Sequence, residues 1–358
     1  MNPHTSNMTT TQNSQAGNNN SNNGSAYAKY AAKAAPVIEE ITFGIEIETK
    51  GNGNQRTAEI IAAALNGRTV RTGGFYGKVE VELADGRRWT CMNDGSLSGA
   101  HSEIVSPICK GAADIEMVQK VVRAVRRPST VGLPYAQGCR VDSQCGIHIH
   151  IGVKGWEPKA ITRLVKLVYS QEDLLIAMLG CADRTRGQWC RRVSENFMSN
   201  LPNRPNTMSA IGTAWYGSRS ELNSARSYHY HSSRYHGLNL HNLWFGTGGE
   251  SRGTVEFRYF NPSLHAGKVR SFIELCLALG ARAKLSKGGV KRKRSRTTWT
   301  KYDARVFMIR LGMMGDRYAN PRAHLMNHLA GNSRSAGTGA ARGGVWREAR
   351  NARDGVRA

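Results

Sequence analysis

Gly146-Ile147-His148-Ile149-His150-Ile151-Gly152 is the stretch whose reading decides the fold. As a β-strand it alternates cleanly, with Ile147, Ile149 and Ile151 on one face and His148 and His150 on the other. Side chains two apart on a strand face stand about 6.5–7 Å apart, so both imidazoles line one polar cleft while the isoleucines seal the opposite side. The same grammar recurs upstream in Phe43-Gly44-Ile45-Glu46-Ile47-Glu48, with carboxylates in place of imidazoles. It recurs again downstream in Thr254-Val255-Glu256-Phe257-Arg258-Tyr259-Phe260-Asn261, where Glu256 and Arg258 share a face. Three strands with one apolar and one functional face predict a sheet that is covered on one side and chemical on the other.

Composition sets the outer limits. With 358 residues, 40% of them hydrophobic, the chain has ample material for one large core or two. No apolar run approaches the roughly 18–20 residues of a membrane helix, so no membrane partner is expected. Residues 1–25 lack a charged and apolar leader, and seven cysteines without CxxC spacing suit reduced thiols; the expectation is a cytoplasmic protein. Cys145, beside the histidines, reads as a buried inert thiol. The formal net charge is +24, and residues 281–358 hold 19 Lys/Arg against 4 Asp/Glu. That excess favours anionic partners, including nucleic acid as an accessory contact through the basic C-terminal region and Lys291-Arg292-Lys293-Arg294-Ser295-Arg296.

Along the chain, three segments are expected. Residues 1–36 form a disordered, polar N-terminal segment, with Tyr27–Ala35 the one alanine-rich candidate for a short helix. Residues 37–330 form the catalytic domain, and 331–358 a basic Gly/Arg-rich tail. Within the domain, Lys78–Leu83 and Arg87–Met92 flank Ala84-Asp85-Gly86 as a hairpin. Helices are expected at Thr57–Leu65, Ala112–Arg126, Lys159–Leu179, Leu264–Leu285 and Asp303–Leu311, and strands at His101–Ser106 and Leu238–Leu243. Residues 180–235, rich in Arg, Ser, Tyr and Asn, read as short helices with a long loop over the cleft.

Histidine and glutamate at strand spacing suit hard or borderline divalent ions such as Mg²⁺ or Mn²⁺. A zinc hydrolase of the HExxH type is not indicated, because that motif is absent. Taken singly, a strand histidine is commonly a hydrogen-bonded structural group and a strand glutamate a solvated one; the repetition on three strands favours one shared polar cleft. The glycine clusters Gly73-Gly74 and Gly246-Thr247-Gly248-Gly249 are turns rather than a Walker A loop, since no GKS/T follows. Two other classes stay open on the residues alone: a metal-dependent phosphoesterase or hydrolase using the same wall to activate water, and a basic nucleic-acid-binding protein.

Five segments then occur in order: Phe43–Glu48, Asp94-Gly95-Ser96-Leu97, Glu103-Ile104-Val105-Ser106-Pro107, Gly146–His150 and Glu256–Asn261. Together with Arg234-Tyr235 through Gly237-Leu238-Asn239-Leu240, the set resembles the amidoligase family, a branch of the glutamine synthetase/glutamate–cysteine ligase superfamily. The resemblance covers about residues 41–285. It implies an α+β fold, an antiparallel sheet backed by helices. It further implies an ATP-dependent carboxylate–amine ligase that forms an isopeptide or peptide-like amide through an acyl phosphate, with Mg²⁺ or Mn²⁺ as cofactor. The implied partners are carboxylate and amine substrates, a peptide or protein among them, and a homo-oligomer is compatible with the superfamily.

By the same resemblance, Glu46, His148 and Glu256 hold the ion at the γ-phosphate, and Glu48 and Glu103 a second ion nearer the carboxylate substrate. Arg258 steadies the transferred phosphoryl group and His150 lies by nucleotide or substrate. Asp94, Ser96, Arg234, Asn239 and Asn261 are weaker substrate- or nucleotide-binding candidates.

Overall fold

The computed structural model describes residues 15–134, 136–246, 250–288, 296 and 298–334, with side chains from Ala26 onward. Helix α1 (Gln15–Glu40) leads into β1 (Thr42–Lys50), α2 (Asn54–Leu65), β2 (Arg68–Gly73), β3 (Lys78–Glu82), β4 (Arg88–Met92), β5 (His101–Val105), β6 (Cys109–Lys110) and α3 (Gly111–Arg126). Then come β7 (Ile147–Gly152), α4 (Pro158–Leu179), α5 (Ala182–Arg186), α6 (Glu195–Asn200), α7 (Met208–Tyr216) and α8 (Arg219–Ala225). The described chain closes with β8 (Leu238–Asn239), β9 (Thr254–Phe260), α9 (Ala266–Leu285), α10 (Lys301–Arg310) and α11 (Ala319–Leu325).

The strands form one antiparallel sheet in the order β2-β3-β4-β5-β1-β7-β9-β8, with β6 also on β1. The most apolar strand faces lie at its centre. Ile45, Ile47, Ile104, Ile147, Ile149, Ile151 and Val255 are all buried, in one core with the apolar stripes of α2, α3, α4 and α9. The hairpin expected around Asp85-Gly86 forms, pairing Val79 with Cys91 and Val81 with Trp89. Burying a strand isoleucine contributes about 1.5–3 kcal/mol, so slippage of β1 or β7 by one residue would be heavily penalised. Among the described residues no helix is long and apolar enough to cross a membrane, and all seven cysteines are free and buried.

Two features depart from the alternation. The first is a bulge in β9. Ile149 faces Phe257 and Ile147 faces Phe260, so Arg258 and Tyr259 together oppose His148. The extra residue lets Tyr259 bond Glu172 of α4 and the next residue, Phe260, stack on Phe272 of α9. Strict alternation would have turned Phe260 to the polar face.

The second is at the N-terminus. Of the segment expected to be without structure through residue 36, the described residues, from Gln15 on, belong to α1, which runs past Pro36 to Glu40. Alanine-rich helix propensity carries it, and Ala34 and Ile38, one turn apart, are fully buried in the main core. Arg282 lies over the Tyr30 ring at 4.5 Å, and Glu39 pairs with Arg317. Leu238–Leu243 also differs, being a two-residue strand followed by a single 3₁₀ turn at His241–Leu243. Strand β2 had no counterpart in the sequence reading. Most of the basic run Lys291–Arg296, the residues Thr247-Gly248-Gly249 and nearly all of the 331–358 tail lie outside the described residues.

Candidate active site and its acidic basin

Antiparallel pairing sets side chains of directly opposed residues on the same face. In β1, Glu46 is the partner of His148 and Glu48 the partner of Glu103. In β7, His150 is the partner of Glu256, which in turn opposes Asn239 of β8. Register alone therefore draws residues from five strands to one patch, on the face away from the helices.

The distances are short. His148 Nδ1 lies 3.1 Å from Glu46 Oε2 and 3.8 Å from Glu256 Oε1, and His148 Nε2 lies 3.9 Å from Glu48 Oε1. His150 Nε2 lies 3.1 Å from Glu46 Oε1. Arg258 Nη1 donates to Glu256 Oε1 at 2.5 Å, and Asn239 Nδ2 donates to Glu256 Oε2 at 2.6 Å. Three sets have ligand atoms within 4.8 Å of one another among the described residues: Glu46, His150 and Glu256; Glu46, Glu103 and His148; and Glu48, Asp94 and Glu103.

The residues that the resemblance implied, Glu46, His148 and Glu256, and Glu48 with Glu103, do lie together, and the ligand sets overlap. Glu46 and Glu256 form one ligand set with His150, while His148, which also lies against both carboxylates, forms another with Glu46 and Glu103. Asp94, expected only as a weak substrate contact, joins Glu48 and Glu103. Ser96 is engaged with Asp94, its backbone N–H donating to Oδ1 at 2.7 Å and its hydroxyl at 2.5 Å. Arg234 sits by the Tyr230 and Tyr235 rings and donates to the His229 carbonyl. Asn261 caps the far end of α4, donating to Gly180 O at 3.0 Å, and joins none of the three groups.

Electrostatics set these groups apart. Burial resists ionisation of Glu256, but Arg258, His150 and His148 overcome it and hold the carboxyl at about 2. Glu46 is likewise drawn well below the usual carboxylate range, His150 and His148 outweighing its burial. Glu103 goes the other way: burial first, then Glu46, Asp94, Glu48 and Glu256, drive its pKa well above the ordinary value. His150 is raised, because Glu46 and Glu256 outweigh its burial.

These residues fit a divalent cation. Oxygen-rich ligand sets with one imidazole suit Mg²⁺ or Mn²⁺. The buried Nε2 atoms of His148 and His150 both lack a hydrogen bond of proper geometry, although carboxylates surround them. Glu46, Glu48, Glu103 and Glu256 gather around Arg258, and Glu103 is raised first by burial and then by its neighbouring carboxylates.

Several contributors were not evident in the sequence. Arg184 of α5 donates to Arg258 O at 3.0 Å and to Cys145 O at 3.2 Å, tying β9 to the entry of β7. A Cβ on Gly146 would lie 2.2 Å from Arg184 Nη2, so only glycine admits this guanidinium. Beside the basin, His229 stacks on Phe245, Phe245 on His241, and His241 on His231. Burial, with Arg234 and Arg252 nearby, pushes His229 down to about 4. Isolated His and Tyr in a loop carry no periodicity, so nothing marked them. Cys145 is buried, with its pKa raised chiefly by that burial, as an inert thiol requires.

The family described as "Putative amidoligase enzyme" matches residues 39–280, from the end of α1 into α9. A bifunctional glutathione synthetase from Pasteurella multocida is similar in structure at a TM-score of 0.32 and 11% identity, over 84% of this chain and 48% of that one. The chain thus spans about half the length of that protein. No curated protein matches it in sequence. Since the family match takes in well over half of the residues, including every strand of the basin, the chain belongs to the amidoligase family.

Proposed function

We propose that the protein is an ATP-dependent carboxylate–amine ligase whose chemistry takes place over the acidic basin. The observation that carries the reading is the convergence of Glu46, Glu48, Glu103, His148, His150 and Glu256 into overlapping ligand sets, with two imidazole nitrogens left without hydrogen bonds. Family membership supports an enzyme of the ligase type.

In such a reaction a carboxylate oxygen of one substrate attacks the γ-phosphorus of ATP. The P–O bond to ADP breaks, leaving an acyl phosphate. An amine then attacks the acyl carbon, inorganic phosphate leaves, and the amine surrenders a proton. Divalent ions, when bound, neutralise phosphate charge and align the transferring group. Glu46, Glu256 and His150 would hold one ion; Glu48, Glu103 and Asp94 would hold another. Arg258 neutralises Glu256 and brings a guanidinium among the basin carboxylates. The stacked histidines and Phe245 make a flat wall suited to a planar group of a substrate.

The experiment is product analysis with Mg²⁺ or Mn²⁺, ATP and pools of carboxylates and amines. A ligase releases ADP and phosphate only when both co-substrates are supplied. Release of phosphate from phosphoesters without nucleotide would instead favour a hydrolase.

A further inference from the structure

A second concave site lies on the helical side of the molecule, away from the basin. The first turns of α4 bring Lys159, Arg163 and Lys166 to one helix face, at i, i+4 and i+7. Together with Arg204 and Lys287 they line a cleft of about 580 Å³, and no aspartate or glutamate is among its described lining residues. That volume falls in the usual range for small-ligand sites, about 300–1,000 Å³.

Three observations distinguish the cleft from the general basicity of the chain. Several surface arginines elsewhere are matched: Arg87 pairs with Asp85 and Asp114, and Arg88 with Glu80 and Glu82. Here five cationic side chains gather around the first turns of α4, whose N-cap is Glu157 and whose first turn holds no acidic residue. The side chains are also partly pre-placed. Arg163 is held by the carbonyls of Ala283 and Lys284, and Lys166, only 6% exposed, by the carbonyl of Asn203. Third, Thr162 lines the same cleft, is 3% exposed, and its hydroxyl has no hydrogen-bond partner. A buried donor without a partner, among five cations in a concavity, calls for an acceptor-rich anion.

We infer that this cleft binds a small, multiply phosphorylated anion at a site separate from the acidic basin. Phosphate oxygens would accept from Arg163, Lys166 and the Thr162 hydroxyl, while Lys159, Arg204 and Lys287 neutralise the remaining charge. The chemistry is shared by inorganic triphosphate and by the phosphate chain of a nucleotide. Occupancy would relieve repulsion at the start of α4, a helix whose Glu172 holds Tyr259 of β9. The inference stands whether or not the ligase reading is correct.

The test is calorimetric titration of the full chain with inorganic triphosphate in EDTA at low salt, where a metal-free acidic basin repels the probe. Saturable binding is expected, weakened about tenfold or more by Lys159→Glu and by Arg204→Glu, both exposed positions that leave the core untouched. Glu46→Gln should leave this affinity unchanged. Parallel titrations with ATP and AMP separate the sources: comparable affinity for ATP and triphosphate, with weak AMP binding, shows that the phosphate chain is what is read. No saturable binding, binding unaffected by either charge reversal, or loss with Glu46→Gln overturns the inference. So does charge-reversal-sensitive binding of a single-stranded oligonucleotide in place of triphosphate.

Discussion

His148 and Glu46 are direct partners across β1 and β7, and their side chains meet at 3.1 Å although 102 positions separate them in the chain. The contact exists only because two alternating strands pair in one register. Glu46, like Glu103, belongs to two of the three ligand sets, and it is the carboxylate that both imidazoles approach.

Glu46→Gln should therefore abolish metal-dependent turnover, by about a hundredfold or more, while leaving the fold intact. Because His150 and His148 draw the Glu46 carboxyl well below its ordinary range, losing its charge should make the metal-free variant somewhat less stable than wild type, with the relief of Glu103 offsetting part of the loss. Saturation at a hundred times the dissociation constant stabilises a protein by about 2.7 kcal/mol, and this increment with Mn²⁺ should shrink in the variant. Thermal denaturation with and without Mn²⁺ reads both effects. Full activity, or an undiminished Mn²⁺ shift, would remove Glu46 from the ligand set.

Glu256 and Arg258 form a buried ion pair, each less than a tenth exposed. Arg258→Met should cost about 3–5 kcal/mol, because it leaves a buried carboxylate without its main compensating charge. The double variant Glu256→Gln/Arg258→Met should recover much of that loss while remaining inactive. Urea unfolding of the four-member cycle measures the coupling. Additive single effects would mean that the pair is energetically inert.

The strands of the basin were legible because alternation of isoleucine with His or Glu is a period-2 signal that needs no tertiary information. Which carboxylate meets which imidazole was not, since that depends on register: a sequence shows Glu46 and His150 on chemical faces, not that their atoms lie 3.1 Å apart. The bulge at Arg258-Tyr259 was hidden for a related reason, because Tyr259 and Phe260 suit either side of a strand until Glu172 and Phe272 claim them. Arg184 had no local mark at all. Its role comes from the missing side chain of Gly146, 38 positions earlier.

The stacked loop supplies a pH dependence. His241 is held at about 4, first by burial and then by His231, against an ordinary value near 6.5. A histidine lowered in the folded state takes up protons more readily when unfolded, so stability rises with pH between about 4 and 6.5. The contribution is complete above about 6.5 and lost as pH falls through that window toward 4. Its size should be about 2 kcal/mol after allowance for solvent screening. Chemical denaturation at pH 7 and pH 4.5 should show the loss, and His241→Phe should reduce it. An identical pH difference in the variant would assign the effect to other groups.

Helix α1 supplies the last expectation. Ala34 and Ile38 are buried in the same core as the isoleucines of β1, and Glu39 reaches Arg317 near the other end of the described chain. Truncation to residue 40 strips all three and exposes the apolar surface they cover. Loss of a buried isoleucine side chain alone costs about 2–5 kcal/mol, so the truncated chain should be destabilised by at least that much. The single variant Ile38→Ala should reproduce most of the loss, and Glu39→Gln little of it, because Glu39 is a partly exposed partner. Because α1 lies on the helical side of the sheet, truncated protein that remains folded should still bind Mn²⁺ at the basin. Thermal unfolding of the three variants, with Mn²⁺ titrated at a temperature where each is native, separates the two roles. An unchanged midpoint on truncation would show that α1 adds nothing to the core, whereas lost Mn²⁺ binding in folded protein would tie the helix to the basin.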